Sequence, residues 1–278
     1  MSYRIVMDSS AELPQKYQGD PHFAFVPFGM EVGEYQVIDD ENFNLEEFLA
    51  KVAAYPKSPR SYCPSPEKFM EACHCDAERI YVITISSKLS GSYNSAELGK
   101  KLYEEKYGKK DIFVIDSESA SCGEAQIGLK AMEYEEAGLL FEEIKEKLLT
   151  YRDEMRTYFV LDNLETLRKN GRLTGVKALV ASTLSIKPVM GADKGVIIQK
   201  SQAIGIKKGL AKMADTIVAE CKNPESKRLI IANCNNKERA EKVKAMLMEK
   251  AHFGEILVTQ TAGLSSMYAN DGGIIVTV

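Results

Sequence analysis

The sequence predicts an α/β protein of two domains, a doubly wound N-terminal domain with a mainly parallel sheet and a C-terminal α+β domain with a mixed sheet. Three observations carry this. Short apolar runs alternate with segments of helical period through the first half. Two of those runs, Tyr81-Val82-Ile83 and Ile112-Phe113-Val114-Ile115, are continuously apolar, as expected of parallel strands covered on both faces. In the second half, residues 186–190, a turn over 191–195 and residues 196–199 read as a hairpin, which a purely parallel sheet does not contain.

In order, strands are expected at residues 3–7, 79–85 and 111–115, with helices at 45–55, 92–107 and from about 124 to 154. In the first helix, Leu45, Phe48, Leu49, Val52 and Ala53 form an apolar stripe, and Asn44 followed by Glu47 has the spacing of a capping box. This βαβ grammar is Rossmann-like and defines a domain over residues 1–155. Beyond it, residues 158–161 suggest a strand, and Val176, Leu179, Val180, Thr183 and Leu184 a helical stripe. After the hairpin, Leu210, Met213, Ala214, Ile217, Val218 and Cys221 mark an amphipathic helix. Strand 229–232, helix 238–250 and strands 256–259 and 274–278 complete a domain over residues 156–278.

The composition narrows the function. A net charge of −4, from 36 basic and 40 acidic residues without a block of like charge, gives no electrostatic footprint for nucleic acid or an anionic membrane. Membrane spans are not expected, and Ile5-Val6-Met7 is too short for the apolar part of a signal peptide, so the expected location is the cytoplasm. The six scattered cysteines read as free thiols rather than a disulfide framework. The phosphate-cradling, dinucleotide, nucleophile-elbow and zincin motifs are missing, and no cofactor is expected. Cys73-His74-Cys75 has no second ligand pair spaced to complete a metal tetrahedron and reads as a helix end.

Three strands of the first half end in hydroxyl-rich turns: Asp8-Ser9-Ser10, the segment from Ser86 to Ser92, and Asp116-Ser117-Glu118-Ser119-Ala120-Ser121. The carboxyl ends of parallel strands share one edge, so these turns should converge on a crevice. Each serine alone has a sufficient explanation as a helix cap; the three turns together point to a ligand. Ser90-Gly91-Ser92 opens a helix, where hydroxyls and free N–H groups suit one anionic head group. Asp8 and Asp116 would repel such a group and are read as holding their own loops, with a magnesium site the lesser alternative. Three prolines stiffen residues 58–66, which fixes Ser61, while Ser65 before Pro66 reads as an N-cap. Arg172 suits either the surface or the cleft. No histidine lies in a segment like these turns, so Ser90 reads as a donor rather than a nucleophile.

Together, Asp8-Ser9-Ser10-Ala11-Glu12-Leu13-Pro14, Pro64-Ser65-Pro66, Leu89-Ser90-Gly91-Ser92-Tyr93, Asp116-Ser117, Gly171-Arg172 and Ile186-Lys187-Pro188 resemble the DegV family of bacterial fatty-acid-binding proteins, in order and over nearly the whole chain. The resemblance implies a long-chain fatty acid as the ligand, its tail in the C-terminal domain and its carboxylate gripped at the interdomain cleft. In the FakB members of the family, the acid is presented to a separate fatty acid kinase, and the binding protein supplies no catalytic machinery. By position, the carboxylate site would comprise Ser61, Ser90, Gly91, Ser92, Arg172 and Tyr268. Two departures stand out. Tyr268 occupies the place of the family's histidine, so it can donate a hydrogen bond but not carry charge near neutral pH. The basic run after the hairpin reads Lys200-Ser201-Gln202-Ala203-Ile204-Gly205 here, which raises the further reading of a lipid binder without a kinase partner.

The physics allows such a ligand. A tail of about 16 carbons gains on the order of 12 kcal/mol from burial, before ordering costs. Candidate tail contacts are Leu164, Leu167, Val176, Leu179, Val180, Leu184, Ile186 and Leu264. The competing reading is an enzyme, a Ser90-dependent acyl hydrolase or phosphoryl-transfer protein using the same cleft.

Overall fold

The computed structural model describes residues 2–174, 176 and 185–278. The first part of the chain runs β1 (Tyr3–Asp8), β2 (Phe23–Val26), β3 (Gly29–Val32), β4 (Tyr35–Ile38), α1 (Leu45–Ala54), β5 (Arg60–Tyr62) and α2 (Pro66–Cys73). It continues through β6 (Arg79–Thr84), α3 (Ser92–Tyr107), β7 (Asp111–Asp116), α4 (Cys122–Glu136) and α5 (Phe141–Glu154). The second part contains β8 (Thr157–Val160), α6 (Glu165–Lys169), β9 (Ile186–Asp193), β10 (Val196–Ile204) and α7 (Ile206–Glu220). Last come β11 (Arg228–Asn233), α8 (Lys237–Lys250), β12 (Glu255–Gln260), α9 (Gly263–Ala269) and β13 (Ile274–Thr277).

The fold is α/β, as the periodicity predicts. Strands β2-β1-β6-β7 form a wholly parallel sheet. Its alternation shows why β6 is apolar throughout: Tyr81 and Ile83 pack with Ile127 and Leu129 of α4, while Ile80 and Val82 pack with Phe69 of α2 and Ala96 of α3. The second sheet, ordered β10-β9-β8-β13-β11-β12, is mixed, with only β11 and β12 parallel among its pairs. The hairpin between β9 and β10 turns on Lys194 and Gly195, both at positive φ (45° and 79°), the backbone signature of a two-residue turn matched to strand twist.

Several elements differ from expectation. The helices expected from about 124 to 154 are α4 and α5, and their boundary falls where Gly138 takes φ 75°. Strand β2 and the antiparallel sheet β4-β3-β5 escape sequence reading because strands of three or four residues give too few alternations to register a period. Asn44 caps α1 as its spacing predicts, accepting from the Glu47 N–H at 3.0 Å, while the Glu47 carboxylate turns to Lys51 instead of closing the box. Ser65 is the N-cap residue of α2 with Pro66 at the first turn, without a side-chain cap bond. Of the predicted stripe at 176–184, Val176 is buried and the other four residues lie outside those described.

Helix α4 fixes how the two larger sheets sit. Ile127 and Leu129 share one core with Ile5 and Met7 of the parallel sheet and with Ile230 and Ala232 of the mixed sheet. Gln126 Nε2 donates to the carbonyls of Arg228 (2.8 Å) and Thr277 (3.3 Å), tying the helix to two neighbouring strands of the mixed sheet. Buried on nearly every side, it shows no polar stripe over its first three turns.

Candidate functional site

The three serine turns do converge. Ser10, Ser90, Ser119 and Ser121 all line one cavity of about 360 Å³, between the loop edge of the parallel sheet and the face of the mixed sheet. That volume lies in the lower part of the range for small-molecule sites. Its wall is mostly apolar: Ile85, Leu89 and Ala120 come from the loops, and Phe159, Ile197 and Ile275 from the mixed sheet.

Buried carboxylates organise the loops. Asp8 Oδ1 accepts from the N–H and hydroxyl of Ser10 (3.2 and 2.8 Å), and Oδ2 from the Ile85 N–H (3.0 Å) and the Ser92 hydroxyl (2.6 Å). One side chain therefore joins all the turns at β1, β6 and α3. Asp116 Oδ1 accepts from the N–H groups of Ser87 and Glu118 at 3.1 and 3.0 Å. Both aspartates hold their loops, as the sequence suggests.

This arrangement corrects one assignment. Ser92 was expected to donate to a ligand, yet it is wholly buried, outside the cavity lining, and its hydroxyl is committed to Asp8. Residues two apart at a helix start project to opposite sides, so presenting Ser90 to the cavity turns Ser92 away from it. Ser90 and Gly91 line the cavity; Ser90 Oγ accepts the Ser92 N–H at 3.2 Å, and its own hydroxyl proton is free to point elsewhere.

Ser61 and Tyr268, 207 positions apart in sequence, meet at the cavity with Oγ and Oη 3.3 Å apart. Ser61 is set by β5, where it pairs with Met30 of β3. Tyr268 is set by α9, whose first N–H groups are held by Asp39: Oδ1 accepts from Gly263 at 2.7 Å and Oδ2 from Leu264 at 2.9 Å. A side chain at position 263 would collide with Met30 and Asp39, so the close approach requires glycine. Arg172 also lines the cavity; its Nε donates to the Leu89 carbonyl at 3.2 Å and its Nη1 to the Asn170 carbonyl, which places it at the cleft rather than on open surface.

Burial raises the affinity of the supporting acids for protons. Glu12, which accepts the Ala262 N–H, is pushed up to about 8 and Asp39 to about 6, while Glu124 and Asp8 are raised in the same direction. Ser10 Oγ lies within hydrogen-bond reach of both Asp8 and Glu124 and has one proton to give. A protonated Glu124 donating to Ser10, which in turn donates to Asp8, satisfies this chain.

Of the suggested tail contacts, Leu167 and Leu264 line the cavity; Leu164 and Ile186 do not, Val176 is buried beside it, and Leu179, Val180 and Leu184 fall outside the described residues. Phe159, Ile197 and Ile275 were not anticipated, although their strands were, because the strand register that aims them here is set by tertiary pairing. Cys63, also unanticipated, lines the wall. His74 stacks on Tyr107 with ring centroids 4.1 Å apart and Cys73 is buried, its thiol pushed up to about 12. Among the described residues, no group of three His, Cys, Asp or Glu side chains is placed to hold a metal ion. No helix among them is long and apolar enough to cross a membrane.

Comparison with known proteins agrees with this architecture. A DegV domain-containing protein of Streptococcus gordonii is 32% identical over 279 residues, covering 99% of this chain and 98% of that one. A crystal structure of a DegV family protein from Ruminococcus gnavus, refined with vaccenic acid, superposes with a TM-score of 0.97 at 50% identity over 100% of both chains. The fatty acid kinase B3 protein of Streptococcus pneumoniae, solved loaded with linoleic acid, superposes at 0.89 with 29% identity over 100% of this chain and 99% of that one. Residues 2–276 match the DegV family, described as uncharacterised proteins, and the chain belongs to that family.

Proposed function

We propose that this protein binds one long-chain fatty acid and acts as a carrier, handing the acid's carboxylate to a separate fatty acid kinase. The observation that carries the reading is a single apolar cavity with the Ser61–Tyr268 pair, the Ser90-Gly91 turn and Arg172 in its wall. The tail then lies against the face of the mixed sheet, and the head meets Ser61, Ser90, Gly91, Arg172 and Tyr268. Ser92 contributes through Asp8. Burying the methylenes supplies the affinity; the hydroxyl, N–H and guanidinium donors offset the loss of water around the carboxylate. Solved relatives loaded with vaccenic and linoleic acids support the ligand class, and the kinase-associated relative supports the carrier role. The reading needs no cofactor. It treats residues 1–155 as the domain of the head-group loops and 156–278 as the domain that receives the tail.

The hydrolase alternative needs a base beside Ser90. None of His22, His74 and His252 is in the cavity wall, His22 pairs with Asp20 at 2.8 Å and His74 stacks on Tyr107, and the near neighbour of Ser90 Oγ is a backbone N–H, which favours a donor. Mass spectrometry of lipid extracted from the purified native protein tests the binding; long-chain fatty acid in near-equal amount to protein is expected. Protein that is reproducibly empty and fails to take up oleate or palmitate rejects it. Acyl-phosphate formation on mixing the loaded protein with a fatty acid kinase and ATP tests the carrier role.

A further inference from the structure

Polar side chains enter the cavity wall at two separate places. Along β8 and the residue that follows it, alternate side chains Thr157, Phe159 and Leu161 face the cavity. At about 3.3 Å per residue, Thr157 stands ~13 Å from Leu161, the length of roughly 11 bonds of an extended chain. Leu161 leads on to Leu167 and Arg172, the head-group side; Thr157 lies further along the strand, against the loop after β7.

That second place carries hydroxyls with unspent hydrogen-bonding capacity. Ser119 Oγ and Thr157 Oγ1 are 2.7 Å apart, so one proton of the two serves their mutual bond. Among the described residues the second finds only the Ala120 carbonyl, 3.4 Å from Ser119 Oγ, at the long limit of a hydrogen bond. Ser121 lines the same cavity and is wholly buried; its hydroxyl is near enough to the Glu12 carboxyl to favour that group's charged form, yet it makes no hydrogen bond among the described residues. Its residue takes φ 61°, an uncommon conformation for a side chain other than glycine. A plain hydrocarbon tail would leave the Ser121 hydroxyl and the spare proton of the Ser119–Thr157 pair without a good partner, and buried polar groups are rarely left so.

We propose that the wall beside Ser119, Ser121 and Thr157 is a subsite for an oxygen substituent, and that the preferred ligand is a long-chain fatty acid hydroxylated in the distal half of its chain. This rests on the fatty-acid reading above and adds a second polar contact to it. The substituent's oxygen accepts the spare proton of the Ser119–Thr157 pair, and its own proton goes to Ser121 Oγ. The head group and the substituent together fix how far the chain enters.

The test is competition on the full-length protein, with octadecanoic and 12-hydroxyoctadecanoic acids displacing a bound fluorescent fatty acid. The hydroxy acid is expected to compete about tenfold better, the scale of one well-made buried hydrogen bond. Thr157→Val and Ser121→Ala, examined separately, should each bring the ratio of the two affinities toward one; two sites guard against either variant failing to fold. Equal or weaker competition by the hydroxy acid in the unmodified protein overturns the subsite while leaving the fatty-acid reading in place, and is the result expected if a trapped water satisfies the hydroxyls. A tenfold preference untouched by both substitutions also overturns it. Failure of both acids to displace the probe overturns the fatty-acid reading, and the subsite with it.

Discussion

The two larger sheets contribute to the cavity in opposite ways. The parallel sheet offers its strand ends: Ser10, Ser90 and the 119–121 turn all stand on loops, where backbone and side-chain donors are not consumed by ladder pairing. The mixed sheet offers a face, where paired backbone leaves only side chains to be seen, and Phe159, Ile197 and Ile275 make it apolar. The loops of the parallel sheet give polar groups, and the mixed sheet, Thr157 apart, gives solvent exclusion. An amphipathic ligand needs both, which explains why the site lies between them.

Breaking the loop side should be most costly at its hub. Asp8→Ala strands two hydroxyls and two N–H groups in the interior and should destabilise the protein by about 3 kcal/mol, read as a fall in the urea midpoint. A midpoint within error of the unmodified protein would show that the turns after β1 and β6 hold together without it.

The next largest effect separates donors from struts. Ser61→Ala and Ser90→Ala should each weaken fatty-acid binding by about five- to tenfold, and the double variant by more than either. Ser92→Ala, two residues along, should cost about 1 kcal/mol of stability while changing affinity less than Ser90→Ala does. Equal affinity losses at 90 and 92 would erase the distinction drawn between them.

The smallest effect is a pH dependence from the acids that support α9. Glu12 holds its proton in the folded protein up to about pH 8 but only to about 4.5 when unfolded, so its contribution is complete below 4.5 and is lost as pH rises through 8. Asp39, raised from 3.8 to about 6, acts in the same sense over a lower window. The melting temperature should therefore fall between about pH 4.5 and 8, and Glu12→Gln, neutral throughout, should fall by a few degrees less. Identical slopes for the two proteins would remove Glu12 from the account.

How much of this was legible beforehand depends on the range of the interaction. Ser90 and Gly91 could be read because a strand, a turn and a helix start adjoin in sequence and imply a geometry. The turn of the Ser92 hydroxyl toward Asp8 was not legible, because composition does not say which way a helix's first residues face. Ser61 and Tyr268 could be paired only through family resemblance, since two separate elements bring them together. Asp39 left no local signal: its role is to hold a helix that begins 224 residues later. The facing residues of the mixed sheet required a register that no single strand encodes.

Helix α4 has an evolutionary consequence. Ten of its residues are buried, and its core partners lie in both sheets, so a substitution on it is felt on both sides at once. Within this family the halves are thus expected to change in step, and a hybrid made by exchanging everything after residue 155 with a distant cousin would inherit a mismatched seam along that helix before any difference in lipid preference came into play.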